Sequence, residues 1–360
     1  MRVIISGGGT GGHIFPAIAI ANALQSLVNG VDILFVGALG KMEMEKVPAA
    51  GYKIVGLPIA GIQRSFTLKN ILFPFKLIGS LLKARKIISD FNPDVAVGVG
   101  GYASGPLLFI ATQKGINCLI QEQNSFPGIT NKMLASRVRK ICVAYDGMEK
   151  FFPKEKILLL GNPVREEVTA LLQRKDEALD FFKLEKGKKT VLVVGGSLGA
   201  RTINHSIAAW LQNLPGDIQI IWQTGKSYYN EGKTKESDTV RVLDFIYRMD
   251  YAFAAADVII SRAGASTISE LCLVGKPVVL VPSPNVAEDH QTKNAMALVN
   301  KNAALLVTDK DAVVQLGDVT ATLLSNKVQQ DMLSTNIKKL ALPGSARQIA
   351  EEVIKLSKVA

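Results

Sequence analysis

His13 closes the run Gly7-Gly8-Gly9-Thr10-Gly11-Gly12-His13. An imidazole with an ordinary pKa near 6.5 is suited to taking a proton from a hydroxyl nucleophile, a contribution of about 10²–10⁴-fold in rate. The glycines before it suit an anion. Without Cβ atoms the backbone approaches closely, and a following helix offers unpaired N–H groups carrying partial positive charge. A plainer role for His13, as a local cap of that helix, fits the same position. Two further turns of this kind, Gly98-Val99-Gly100-Gly101-Tyr102 and Gly195-Gly196-Ser197-Leu198-Gly199, also follow short apolar runs. Phosphate-handling turns in both halves point to a nucleotide-linked ligand held in a cleft between two similar domains.

Other chemistry-bearing residues gather at strand ends. Gln121-Glu122-Gln123-Asn124 follows an apolar run. Four polar side chains there do not build a core; they form a solvated loop or, at the end of a buried strand, line the cleft, which is the expectation, with Glu122 as a second candidate base. Thr267-Ile268-Ser269-Glu270 has the form of a capping box, so Glu270 either holds a helix start or meets a ligand. Gly7, Gly9 and Gly12 match a dinucleotide fingerprint, but the second strand has its only acid, Asp32, at the wrong end to hold a ribose. The one D-x-D, Asp309-Lys310-Asp311, falls between a predicted strand and helix and reads as a loop or cap, not a metal pair. Cys118, Cys142 and Cys272 have neither disulfide nor zinc spacing. No metal or cofactor is expected.

Alternating strands and amphipathic helices must position these residues. Strands are predicted over 2–6, 31–36, 94–99, 117–121, 190–194, 218–223, 240–243, 257–261 and 277–281, with a helix from 16 to 27, opened by Pro16, and a last one over 346–356. Such alternation gives an α/β fold of two Rossmann-like, doubly wound parallel sheets. The break at Gly161-Asn162-Pro163 divides the chain into 1–161 plus 343–360 and 162–342.

A net charge of +11, from 42 Lys and Arg against 31 Asp and Glu, favours anionic partners. Two tryptophans and no basic stripe with interleaved aromatics argue against nucleic acid. The first strand leaves no room for a signal peptide, and the apolar stretch from Ile71, broken by Pro74 and Lys76, falls short of the roughly 20 residues of a spanning helix. Its mixture of Phe73, Phe75 and Leu77 with Lys83 and Arg85 suits an anionic membrane surface, or else a core helix with a basic end.

Taken together, the three turns, Gln-Glu-Gln-Asn124, Gly-Asn-Pro-Val-Arg165, Ser-Arg-Ala-Gly-Ala265-Ser-Thr-Ile-Ser-Glu270 and Glu288-Asp-His-Gln291 resemble the MurG family of bacterial glycosyltransferases over nearly the whole chain. The resemblance implies a GT-B fold and inverting transfer of N-acetylglucosamine from UDP-GlcNAc to the muramyl 4-hydroxyl of lipid I, giving lipid II. It places Thr10, Gly11, Gly12, Asn124, Arg165, Ser197, Ile246, Ala265, Ser266, Thr267, Ile268, Ser269, Glu270 and Gln291 at the donor and Tyr102 at the acceptor. Within that set, Arg165 and Ser197 would stabilise the departing UDP, the Ile246 backbone would read uracil and Glu270 would accept both ribose hydroxyls. The resemblance also implies a peripheral place on the cytoplasmic face of the inner membrane, among other cell-wall synthesis proteins. Many family members carry glutamine where this chain has Leu198. Rival readings are a UDP-sugar epimerase or hydrolase of the same fold, a galactosyltransferase acting on diacylglycerol, and a non-catalytic cell-wall scaffold.

Overall fold

The computed structural model describes residues 1–59, 73–164, 166–196 and 198–358. It forms two compact units, Met1–Val164 with Gly344–Ala360 and Arg165–Pro343. The sequence boundary at 161/162 is corrected by three residues. Asn162 is buried in the first unit, where its amide accepts from Gln121 Nε2 (2.9 Å) and donates to the Gln123 carbonyl (3.1 Å). Pro343 falls in the second unit.

The first unit is a parallel sheet built from β1 (Arg2–Ser6), β2 (Asp32–Ala38), β3 (Lys53–Leu57), β4 (Val95–Gly98), β5 (Asn117–Glu122), β6 (Lys140–Val143) and β7 (Ile157–Leu159), in the order β3-β2-β1-β4-β5-β6-β7. Side chains alternate across a strand, so β1 feeds two cores. Val3 and Ile5 pack with Ile14, Ile20 and Leu24 of helix Gly11–Leu27. Ile4 joins Leu107 and Leu108 of helix Ser104–Gln113 and Ile87 and Ile88 of helix Phe73–Phe91. The last helix, Ser345–Ser357, returns to the first face with Ile349, Val353 and Leu356. Asn117 Nδ2 pins its end by donating to the Leu356 carbonyl (3.0 Å).

In the second unit β8 (Lys189–Val194), β9 (Ile218–Gln223), β10 (Val240–Leu243), β11 (Val258–Ser261), β12 (Val278–Leu280) and β13 (Leu305–Leu306) repeat the winding, ordered β10-β9-β8-β11-β12-β13. The winding reverses between β1 and β4 in one unit and between β8 and β11 in the other. In open parallel sheets that reversal opens a crevice beyond the carboxyl ends of the two strands. The turns after β1, β4 and β8 and the segment after β11 all lie at these points.

One boundary near the chemistry differs from expectation. The first helix begins at Gly11, with Thr10 as its N-cap, so Pro16 is its sixth residue and not its opening. His13 therefore sits in the first helical turn.

Candidate functional site

In the first unit, the turns after β1 and β4 interlock. Gly8 N–H donates to the Gly100 carbonyl (3.3 Å), and Ser104 Oγ lies 2.9 Å from both the Ser6 and the Gly100 carbonyls. Gly100 and Gly101 take φ values of +93° and +90°, which L side chains rarely adopt. A Cβ on Gly101 would lie 2.4 Å from the Gly8 oxygen, and one on Gly100 would lie 2.8 Å from the His13 ring.

His13 Nδ1 lies 2.9 Å from that same Gly8 carbonyl and 3.4 Å from Thr10 Oγ1. A carbonyl only accepts, so Nδ1 carries the proton and Nε2 is the basic nitrogen. The half-buried ring thus stands at the carboxyl end of β1 in a fixed tautomer, beside exposed Thr10 and Gly12 and half-buried Gly11. Tyr102, 49% exposed, marks the second turn.

Sequence reasoning missed Glu43, which opens helix Glu43–Ala49. It is fully buried, and its carboxylate accepts from Gly9 N–H (2.9 Å) and Ala38 N–H (3.0 Å). The only sequence signal was the pair of glycines that make room for it. A Cβ on Gly8 or Gly37 would lie 2.2 or 2.5 Å from its side chain.

The run at the end of β5 is not a solvated loop. Gln121, Glu122 and Gln123 are all buried, and Asn124 is half-buried. Gln123 Nε2 donates to the Val99 carbonyl (2.9 Å), tying this strand end to the second turn. Glu122 is also corrected as a candidate base. It is 2% exposed and accepts from Asn124 N–H (3.0 Å), Asn124 Nδ2 (3.3 Å), Gly128 N–H (3.2 Å) and Asn131 Nδ2 (2.8 Å). Burial raises its pKa above the ordinary carboxylate value, and these donors oppose the rise. The carboxylate shapes the 122–131 loop that presents Asn124.

In the second unit, Arg165 and Ser197 lie outside the described residues. Around Ser197 the third turn is set by Gly196 (φ +87°) and Gly199 (φ +79°), where a Cβ would fall 2.0 Å from the Thr224 carbonyl. Leu198 is 84% exposed, and helix Arg201–Trp210 follows without a side-chain cap. Its first N–H groups lack helical acceptors, the usual setting for an anion. Ile246 is buried just beyond β10, between exposed Phe245 and Tyr247.

Helix Ala265–Val274 has Gly264 as its N-cap, which overturns the capping-box reading. Thr267 is its third residue and Glu270 its sixth, too far along to hold the start. Ala265 and Ile268 are buried, while Ser266, Thr267, Ser269 and Glu270 are half-buried, and Ser269 Oγ donates to the Ala265 carbonyl (3.2 Å). Gln291 Oε1 accepts from Ala263 N–H (3.3 Å) and Ser283 N–H (2.9 Å), joining the loops after β11 and β12. That orientation leaves the amide NH₂ as the donor toward a ligand.

Both D-x-D carboxylates are engaged within the protein. Asp309 pairs with Arg262 (2.5 Å) and accepts from Thr202 Oγ1 (2.9 Å), while Asp311 accepts from Thr308 Oγ1 (2.5 Å). Among the described residues no group of three or more His, Cys, Asp or Glu is arranged to hold a metal ion.

Helix Phe73–Phe91 has two apolar faces, and the structure distinguishes them. Phe73, Leu77 and Leu81 pack against the core, so Phe73 and Leu77 are corrected as membrane-facing residues. At about 100° per residue the opposite face carries Phe75, Ile78 and Leu82, exposed by 70%, 56% and 66%. Exposed Lys76, Lys83, Arg85 and Lys86 flank them, whereas Ile71 and Leu72 lie outside the described residues. No helix among the described residues is long and apolar enough to cross a membrane.

Two doubly wound parallel sheets, each with a glycine turn at its reversal point, are the architecture of the GT-B class of α/β glycosyltransferases. Residues 3–143 match the N-terminal domain of glycosyltransferase family 28 and residues 190–349 match its C-terminal domain, and the chain belongs to this family. It is 57% identical over 360 residues to the UDP-N-acetylglucosamine–N-acetylmuramyl-(pentapeptide) pyrophosphoryl-undecaprenol N-acetylglucosamine transferase of Parabacteroides distasonis, covering 99% of this chain and 98% of that one. The enzyme of the same name from Bacteroides thetaiotaomicron is 58% identical over 364 residues, covering 99% and 98%. Among solved structures, MurG of Acinetobacter baumannii superposes with a TM-score of 0.82 at 28% identity, covering 98% of this chain and 99% of that one. UDP-GlcNAc 2-epimerase of Neisseria meningitidis reaches 0.66 at 14% identity, covering 99% and 100%, and shares the fold alone.

Proposed function

We propose that the chain is an inverting glycosyltransferase that moves N-acetylglucosamine from UDP-GlcNAc to the 4-hydroxyl of the muramyl sugar of lipid I, forming lipid II. Relatives above 50% identity that carry this activity in their names support the reaction. The observation that carries the chemistry is the His13 ring, locked by the Gly8 carbonyl with Nε2 as its basic nitrogen. Nε2 takes the acceptor proton as that oxygen attacks the anomeric carbon, and the bond to UDP breaks with its electrons leaving on the diphosphate. Arg165, Ser197 and the open N-terminus of helix Arg201–Trp210 are proposed to stabilise that charge. The Ile246 backbone would read uracil, Glu270 would accept from the ribose hydroxyls, and Gln291 would donate to the sugar, with Tyr102 on the acceptor side. No metal is required in this scheme.

The test is radiolabel transfer from UDP-GlcNAc to a short-chain lipid I analogue, with EDTA and an acceptor-free control. Labelled disaccharide formed in EDTA and only with acceptor supports the reading. Donor consumed equally without acceptor overturns it in favour of an epimerase or hydrolase.

The lipid-linked acceptor requires work at a membrane surface, and Phe75, Ile78 and Leu82 with their basic flank supply the contact we propose. Insertion of such side chains contributes about 1.5–3 kcal/mol each when complete, and each nearby base adds about 1 kcal/mol on anionic lipid. A Phe75→Ser, Ile78→Ser, Leu82→Ser variant is expected to lose at least about tenfold in partitioning to anionic vesicles. Sedimentation with vesicles measures this, and transfer to a soluble acceptor should persist. Undiminished sedimentation would exclude this face.

A further inference from the structure

We infer that Glu43 is a positioning residue for His13, acting through the one peptide group between Gly8 and Gly9. The carbonyl of that peptide accepts from His13 Nδ1–H (2.9 Å), and its N–H donates to Glu43 Oε2 (2.9 Å). Drawing on the N–H of an amide moves electron density onto its carbonyl oxygen, and successive hydrogen bonds polarise one another in a low dielectric. The Gly8 oxygen becomes a stronger acceptor for Nδ1–H, which raises the basicity of Nε2 and favours the imidazolium formed on proton transfer. The logic is that of a base oriented by a third group, with a peptide inserted between carboxylate and imidazole.

The geometry is built for a carboxylate. Burying one is costly unless its oxygens are satisfied, and here both are, the second by Ala38 N–H (3.0 Å). Gly8 and Gly37 shape the slot, since a Cβ at either would occupy the space of the side chain. Among the described residues, the Gly8 carbonyl, the Thr10 hydroxyl and the Gly100 backbone face the His13 ring, with Glu43 on the far side of the 8–9 peptide. An apolar residue would fill the slot without influencing His13, whereas a carboxylate both holds the turn and tunes the base.

The inference rests on the reading of His13 as the base, so its test separates the two. The chain has three histidines, His13, His205 and His290, whose ring protons are resolvable by NMR, with His13 assigned by its loss in His13→Ala. In Glu43→Gln the titration midpoint of His13 is expected to fall by about 0.5 or more, and the acid limb of kcat/KM to move with it. Plateau kcat/KM should drop about 3–10-fold while KM for UDP-GlcNAc stays within about twofold. If Glu43→Gln does not fold, the unaltered protein labelled with ¹⁵N-glycine serves, where the Gly9 amide should titrate with the midpoint of His13. An unchanged His13 midpoint in folded Glu43→Gln, or a Gly9 amide indifferent to it, overturns the relay. A shifted midpoint with an unmoved acid limb removes its part in catalysis. Full transfer by His13→Ala would instead sink the reading of the base.

Discussion

Replacing His13 with alanine is expected to lower kcat for disaccharide formation by about 10²–10⁴-fold, the range supplied by a placed general base. Affinity for UDP-GlcNAc should change little, since most of the expected donor contacts, Ile246, Glu270 and Gln291 among them, lie in the second unit and those at Thr10, Gly11 and Gly12 do not need the imidazole. Stability should fall by only about 0.5–1.5 kcal/mol, the net value of the lost bond to the Gly8 carbonyl. Calorimetric titration with UDP-GlcNAc, a thermal melt and initial rates check the three parts separately. A variant that melts and binds like the parent yet retains a third of its kcat would remove His13 from proton transfer. Glu122 would not replace it, because its oxygens are already shared among backbone and amide donors within a closed loop.

The contrast between these two residues shows what was legible in the sequence. His13 stood after glycines whose conformations dictate a turn, so its place at a strand end followed from local chemistry alone. The burial of Glu122 depends on Asn131, nine residues on, and on a loop that closes back over it. No local pattern records that closure. Among the strands, β1, β2, β4, β5, β8, β9, β10, β11 and β12 were readable; all but edge strand β10 are inner strands, where cover on both faces demands largely apolar runs. β3, β6, β7 and β13 are short and lie toward the sheet edges, and three of them begin at or just after a lysine. Helix Phe73–Phe91 had enough apolar residues for two faces. Periodicity separated Phe73 and Leu77 from Phe75 and Leu82 but could not say which set met the core. The role of Glu43 went unread for the same reason as the burial of Glu122, since its partners are backbone groups brought together only by the fold, and the glycines that make room for it do not name it.

Gly101→Ala should damage the site from a distance, and Gly9→Ala tests why. Both glycines have φ near +90°, so both alanines carry the intrinsic left-handed penalty, about 1–2 kcal/mol. Around Gly9 a Cβ finds nothing within 4 Å, whereas at Gly101 it meets the Gly8 oxygen at 2.4 Å and the Gly8 nitrogen at 3.0 Å. Backbone on both sides leaves no flexible side chain to yield, and relief must come from separating the two turns. That adds about 1–3 kcal/mol of overpacking strain at Gly101. It also displaces the carbonyl that orients His13, and a shift of about 1 Å in a catalytic group can reduce rate about 10²-fold. Chemical denaturation should therefore rank Gly101→Ala below Gly9→Ala in stability, and initial rates should separate them more widely still. Equal activity in the two variants would mean that the interlock of the turns is not what holds His13 in place. Loss of stability in Gly101→Ala with kcat intact would mean that the ring keeps its orientation without the Gly8 carbonyl.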